Sequence, residues 1–391
     1  WMEGMQDFQV SEKVARGLTA SIASLGSEGE GLLRQGAVLG RRFRLASLVR
    51  LSGASPAQVL DSLQKARRHK LLWADRSGRS FSLAHDHIRD SLLPQDPEAL
   101  KRLHGQAARA LLDDAQATDW ERAYHFRAAG EIFETRPYAL KAAEQARAQL
   151  QFSRAAEACS WALQSGFDWQ VSFTRAEMLS RAGQTLEALD LFQRIVPQAP
   201  SSVAQAECFK SLGELSLSLS QVKESIHFLE QGIVCLKGRL EANPGLGKVL
   251  SMLAKRIARG QPKPPRPQAV RPESALLGQL YSTLGHVYGH HGRYRPGLYY
   301  HFVALDWCER GDAGAELGFQ WCFDSSTASY LGPSRHLAGG YAHQGLQLME
   351  DHGADPRLLS LANSRTVPCR LFSESSETLL PLLKELLGNL R

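Results

Sequence analysis

The 391-residue chain is short of most features that mark a specialised protein. It has no run of about 18 apolar residues, so no transmembrane helix is expected. Its first thirty residues lack the basic start, apolar run and small-residue cleavage site of a secretory signal. The six cysteines, Cys159, Cys208, Cys235, Cys308, Cys322 and Cys369, are widely spaced, with no CxxC pair. That spacing argues against a disulfide framework or a zinc site and fits free thiols in a reducing cytoplasm. Charge of one sign is scarce too. The 46 Lys and Arg against 40 Asp and Glu give +6, which permits contact with nucleic acid but does not argue for it. GxSxG, HExxH, a GxGxxG after a strand and paired carboxylates are all missing. No nucleophilic or acid–base catalysis is therefore expected within this chain, and no cofactor or metal.

What remains is an ordinary globular composition, with 43% hydrophobic and 22% charged residues, 8% aromatics and 17 prolines. The length predicts two or three domains, and the composition leaves room for a helix-rich fold. The start at Trp1 and the end at Asn389-Leu390-Arg391 read as a segment of something longer.

Residues 11–113 read as one winged helix-turn-helix unit. Val14, Leu18, Ile22 and Leu25 recur at helical spacing, and Leu32, Leu33, Ala37 and Leu39 run up to a stop at Gly40. A short helix is predicted over Phe43 to Leu51. After the turn Ser52 to Pro56, Ser55 and Pro56 suit the N-cap and first position of a helix reaching about His69. Leu71–Asp75 and Ser80–Leu83 flank a Gly-containing turn and read as a hairpin. A last helix spans about His85 to Leu93, with Asp86 suited to cap it. His85 reads from the pattern alone as a core histidine. Arg41, Arg42, Arg44 and Arg50, and Lys65, Arg67, Arg68, His69 and Lys70, form two basic clusters. Each is either a solvated helix end or a surface for DNA.

From about Asp119 onward helices of 12–18 residues alternate with short breaks. A small residue followed eight positions later by an aliphatic one recurs as Ala155/Leu163, Ala188/Val196, Ser225/Ile233, Gly297/Leu305 and Ala338/Leu346. Successive small positions lie 33, 37, 72 and 41 residues apart. This register resembles the tetratricopeptide repeat. The best copy is Tyr281-Ser-Thr-Leu284-Gly285-His-Val-Tyr288 with Gly297 and Ala304; a second is Phe209 to Gly213 with Ser225 and Gly232. Two antiparallel helices interlock closely only where the contact position lacks a bulky side chain. The array is expected in two blocks, 119–259 and 273–391. A basic, proline-rich linker at 260–272 would separate them, within a stretch from Glu241 to Glu273 that has no acidic residue between its ends. Such a linker is either plainly solvated or in contact with nucleic acid or acidic lipid.

Two local patterns need weighing. Asn243 to Lys248 imitates a phosphate loop but has Ala242 and Val249 where Gly and Ser or Thr are needed, and no preceding strand. His286 and His290 share a helix face at zinc-like spacing, near His291 and His301, with no completing carboxylate. In the repeat register His286, His290 and Tyr281 point to the inner groove, where such repeats hold peptides.

Residues 14–93 resemble the winged-helix part of a STAND-type signalling ATPase. The resemblance rests on Ala15 to Leu25, on Leu32 to Phe43, and on Phe81-x3-His85-Asp86-x-Ile88-Arg89-x2-Leu92. It continues through Leu103-His104, Ala123 to Gly130 and Ala139 to Leu163, similar to the repeat region of large bacterial multidomain regulators. Tyr281 to Arg310 is similar to those that begin with a serine/threonine kinase domain. The resemblance implies an upstream nucleotide-binding domain, of which residues 1–10 would be the end, using ATP or ADP with Mg in the parent protein. It implies repeats that bind protein or peptide in the cytoplasm, away from membranes. In related receptors the histidine of a His-Asp pair touches the β-phosphate of ADP. His85, Asp86 and Arg89 occupy the corresponding place, with Ala84 where those receptors usually carry Met. The main expectation is a non-catalytic regulatory arm of a kinase-linked ATPase. The alternatives are part of a DNA-binding transcription regulator, or a plain repeat scaffold.

Overall fold

The structure, a computed structural model, describes residues 12–260, 262, 272–311, 314–330 and 337–373. The expected ATPase remnant at 1–10 and most of the proline-rich linker lie outside the described residues. The chain divides into two compact units, Trp1–Gly183 and Gln184–Arg391.

The first unit opens with α1 (Glu12–Ala23) and α2 (Gly26–Leu39). The next element differs from the sequence expectation. Phe43 does not start a helix: Arg42–Arg44 form strand β1, with Phe43 opposite Phe81 and Arg44 opposite Ser80. A three-residue strand is too short for alternation to betray it. Helix α3 (Leu45–Ser52) follows, and α4 (Pro56–Arg68) begins with a reciprocal Ser55–Gln58 capping box and Pro56 in its first turn. Strands β2 (Leu72–Ala74) and β3 (Ser80–Leu83) complete an antiparallel sheet of order β1-β3-β2. Leu33, Leu48, Val59, Leu63, Leu72 and Leu83 share one core beneath it. Helix α5 (Asp86–Leu92) is capped differently from the expectation. His85 is the extended N-cap residue, with no side-chain cap bond, and Asp86 stands in the first turn. The order helix, strand, two helices and hairpin is that of a winged helix-turn-helix.

Helix α6 (Pro97–Leu112) leads into α7 (Asp119–Ala128), α8 (Ile132–Ala148), α9 (Phe152–Ala162) and α10 (Trp169–Arg181). Two polar links tie the winged part to this stack. Asp114 is buried and accepts from Ser47 Oγ at 2.6 Å, with Arg44 Nε 3.4 Å away. Arg44 also reaches Glu121 at 3.2 Å. His104 and His125 meet through their Nδ1 atoms at 2.9 Å, both buried. The α8–α9 seam is built of alanine: Ala139, Ala142, Ala143, Ala158 and Ala162 lie in one cluster with Cys159.

The second unit holds α11 (Thr185–Ile195), α12 (Ser202–Ser218), α13 (Val222–Cys235), α14 (Leu246–Arg259), α15 (Pro272–His290), α16 (Tyr294–Gly311), α17 (Gly314–Tyr330), α18 (Ala338–Asp351) and α19 (Pro356–Ser373). Antiparallel pairs α12–α13, α15–α16 and α17–α18 are the repeating element. The small residues of the repeat register are buried in both units: Ala155, Ala188 and Ser225 fully so, and Gly297 and Ala338 also buried. At Gly285 the reason is explicit. A Cβ there would lie 3.0 Å from the Gly297 carbonyl oxygen and 3.1 Å from the His301 nitrogen. The architecture is an α-solenoid of tetratricopeptide type.

The acid-free stretch takes an unforeseen form. Its first part is helix α14, which packs on α16, while α13 packs directly on α15. The stack therefore runs on past the insertion. Arg256, buried in that insertion, pairs with Glu309 and, at 3.1 Å, with Asp324; Arg259 reaches Glu309 at 3.3 Å. Arg256 is thus bound inside the fold, while Arg259 pairs with Glu309 at the surface.

Candidate binding groove

Alternate helices of the second unit present one face each to a cavity of about 470 Å³. Helix α15 contributes Gln279, Ser282, Thr283 and His286, spaced three and four apart and hence on one stripe. Helix α12 adds Lys210 and Glu214, and α17 adds Glu316, Phe319 and Phe323. Leu358, Leu361 and Arg365 of α19 close the far wall, and His301 of α16 also lines the cavity. A second cavity of about 240 Å³ shares His286, His301, Phe323 and Arg365 and adds His290 and Tyr294.

The electrostatics differ from end to end. Lys210 and Glu214 pair loosely at 3.6 Å. Burial pushes the Glu316 carboxyl up, against the Lys210 charge and a bond from Gln320 at 3.3 Å. Gln320 also donates to Ser282. At the other end burial, the Arg365 charge and His290 hold His286 down at about 4, so it is neutral near pH 7. Its Nδ1 lies 3.3 Å from Arg365 Nη2. His301 is set from behind, with Nε2 3.1 Å from Asp324 Oδ1. Asp324 thereby joins a groove histidine to Arg256 of the inserted helix.

The sequence-derived residues separate. His286 lines both cavities, and His290, whose ring centroid is 4.1 Å from that of His286, lines the smaller. Tyr281 does not reach the groove. Its side chain is 1% exposed, its hydroxyl donates to the Arg239 carbonyl at 2.8 Å, and its ring stacks on Tyr300. At about 100° per residue it stands roughly 100–160° around the helix from the residues of that stripe. The motif aromatic is a seam residue, not a ligand residue. Lys210, Glu316, Phe319, Phe323 and Arg365 carried no sequence signal of their own.

In the winged part His85 and Asp86 are exposed, so His85 is not a core histidine. Asp86 lies 3.3 Å from Arg41. Arg89 turns inward, its Nε donating to the Ala37 carbonyl at 3.0 Å, and pins α5 to α2. Of the first basic cluster, Arg44 and Arg50 face Asp114 at 3.4 and 3.9 Å.

This is the geometry of a helical-repeat protein with a ligand-sized hollow on one face. No family model and no curated protein matches the chain. Among solved structures it is similar in fold to the MamA protein, 13% identical over 57% of this chain and 95% of that one, with a TM-score of 0.32. It is also similar to a Signal Transduction ATPase with Numerous Domains (STAND) protein with a tetratricopeptide repeat sensor from Pyrococcus horikoshii. That match is 14% identical over 97% of this chain, with a TM-score of 0.39, and this chain spans 59% of that protein's length. A third is the apo form of RapI, 12% identical over 71% of this chain and 92% of that one, with a TM-score of 0.32. Among the described residues no helix is long and apolar enough to cross a membrane.

Proposed function

We propose that the chain is a non-catalytic sensor and docking arm, whose repeats hold a protein or peptide in the groove of α12, α15, α17 and α19. The observation that carries this is the groove itself. A cavity of about 470 Å³ is lined by polar groups of α15 on one side and by Phe319, Phe323, Leu358 and Leu361 on the other. A surface of that kind offers hydrogen bonds and apolar area together, which a bound segment needs. The test is a peptide array probed with the labelled chain. Thr283→Arg, which fills the hollow, is expected to abolish binding at an unchanged melting temperature. Binding that survives the substitution places the ligand elsewhere.

The winged part couples, in this reading, to the nucleotide-binding domain of a parent signalling ATPase, linked to a serine/threonine kinase domain and using ATP or ADP with Mg. The resemblance at His85-Asp86 supports it, as does the exposure of that pair at the surface. A chain extended to include a nucleotide domain tests it: His85→Ala is expected to speed ADP release and raise basal signalling. Unchanged exchange and output rule it out. The DNA-reading alternative loses the α3 face, where Arg44 and Arg50 are already engaged with Asp114. It retains Arg42 and, at the end of α4, Arg67, Arg68 and Lys70, and the absence of a salt-dependent shift of DNA by the chain removes it.

A further inference from the structure

The groove contains a guanidinium, Arg365, that no carboxylate of the described residues neutralises. Arg365 is half-buried in α19, its Nη2 faces His286, and its plane lies 5.3 Å over the Phe323 ring. Its buried Nε has no hydrogen-bond partner. Among the described residues no carboxylate is within ion-pair reach of it. The carboxylates of the cavity are engaged at the opposite wall, Glu214 with Lys210 and Glu316 with Gln320. The neighbour it does have, His286, is a neutral imidazole accepting from it. A partly desolvated cation left this way is unfavourable until an anion completes it, and a guanidinium edge with a free Nε–H suits a planar, two-oxygen anion. Beside that edge lies apolar surface of the cavity: Phe319, Phe323, Leu358 and Leu361, the last 45% exposed.

We propose that Arg365, with His286 beside it, seats the carboxylate of an amphipathic ligand whose hydrocarbon part lies on Phe319, Phe323, Leu358 and Leu361. The inference rests on reading this cavity as the binding site of the repeats. A carboxylate of this kind comes from an acidic side chain next to an apolar one in a peptide, or from a free organic acid. Charge complementarity sets the class, and the test separates the sources.

The test is calorimetric titration of the full chain. The probes are octanoate, 3-phenylpropionate and a blocked peptide, acetyl-Ala-Glu-Leu-Leu-Ala-amide. Each is paired with its uncharged counterpart: octanamide, 3-phenylpropionamide, and the peptide with Gln for Glu. The charged member of a pair is expected to bind about 10- to 100-fold more tightly, the range for a hydrogen bond to a charged group. Arg365→Gln is expected to reduce the charged member to the affinity of the uncharged one, and Arg365→Lys to keep part of the difference. The comparison of ligand pairs on the unaltered chain does not depend on whether either variant folds. Equal affinity within every pair overturns the inference, as does the absence of saturable binding by any probe up to millimolar concentration. Peptides that bind equally with Glu and Gln leave the peptide-groove reading standing without it. Free acids that bind where the peptides do not support the inference and remove the peptide.

Discussion

The residue that most clearly shows how burial governs this molecule is His125. It is 1% exposed and makes its closest polar contact with another histidine, His104, at 2.9 Å. Burial, reinforced by the His104 and Arg89 charges, holds His125 down at about 3; burial and Arg89 hold His104 at about 4. One ring donates and the other accepts, which requires the acceptor to be neutral, and at these pKa values both rings are neutral at pH 7. The folded pKa values are lowered, so between an unfolded value near 6.5 and those values the unfolded chain binds more protons than the folded one. Stability is therefore fully present above about pH 6.5 and is lost as pH falls through that window, by roughly 2 kcal/mol per histidine at pH 5. Urea unfolding at pH 7 and pH 5 measures this. His125→Gln keeps a hydrogen-bonding group in place and does not titrate. It is expected to shrink the difference between the two pH values by about 2 kcal/mol, and an unchanged difference excludes His125 as a source.

At the scale of elements, the seam between paired helices sets what each position tolerates. Gly285 and Gly289 lie one turn apart on α15, yet their surroundings differ. A Cβ at Gly285 meets the Gly297 carbonyl and the His301 nitrogen at 3.0 and 3.1 Å, whereas one at Gly289 has nothing within 4 Å. Gly285→Ala is expected to destabilise by about 1–3 kcal/mol through overpacking. Gly289→Ala is expected to stabilise by about 0.5–1 kcal/mol, because helical glycine carries excess chain entropy. Chemical denaturation of the two variants checks the opposite signs. Such positions were legible in the sequence because a small residue recurring at the repeat period has few explanations besides close approach. The Ser55–Pro56 helix start was legible for a related reason, since capping depends on neighbours three residues away. Strand β1 was not legible, because its partner β3 lies some 40 residues on in the chain. The groove was legible only in part. His286 and His290 gave themselves away by helical spacing, but Tyr281 belongs to the seam. Arg365 meets His286 across 79 residues, a pairing that no local pattern encodes. The pairing of Arg256 was hidden for the same reason, since Glu309 and Asp324 lie 53 and 68 residues away in the chain.

At the scale of the whole molecule, the described residues form more than one core. One cluster, centred on Leu33, Leu48, Leu63 and Phe81, stabilises the winged part. A separate one, running from Ala206 through Tyr281 and Tyr300 to Trp321 and Tyr341, stabilises the second unit, and no residue is common to the two. In a stacked array each layer gains most of its stability from its own interior and its nearest neighbours, so damage stays local. Leu63→Ala opens a cavity at a position 1% exposed and costs about 2–5 kcal/mol. Trp321→Ala, also 1% exposed, costs about 3–5 kcal/mol. Hydrogen exchange followed by mass spectrometry resolves where each loss is felt. Leu63→Ala is expected to speed exchange in α2 to α5 and leave α15 to α18 at the rates of the unaltered chain, and Trp321→Ala to do the converse. Acceleration spread evenly over both units by either substitution contradicts local stabilisation. Local stabilisation also bears on the proposed role, because it lets a ligand in the α15–α19 groove order its own layers at little cost to the winged part. A signal passed from one unit to the other then requires a second state of the chain, and exchange rates in the winged part that change when octanoate fills the groove would detect it.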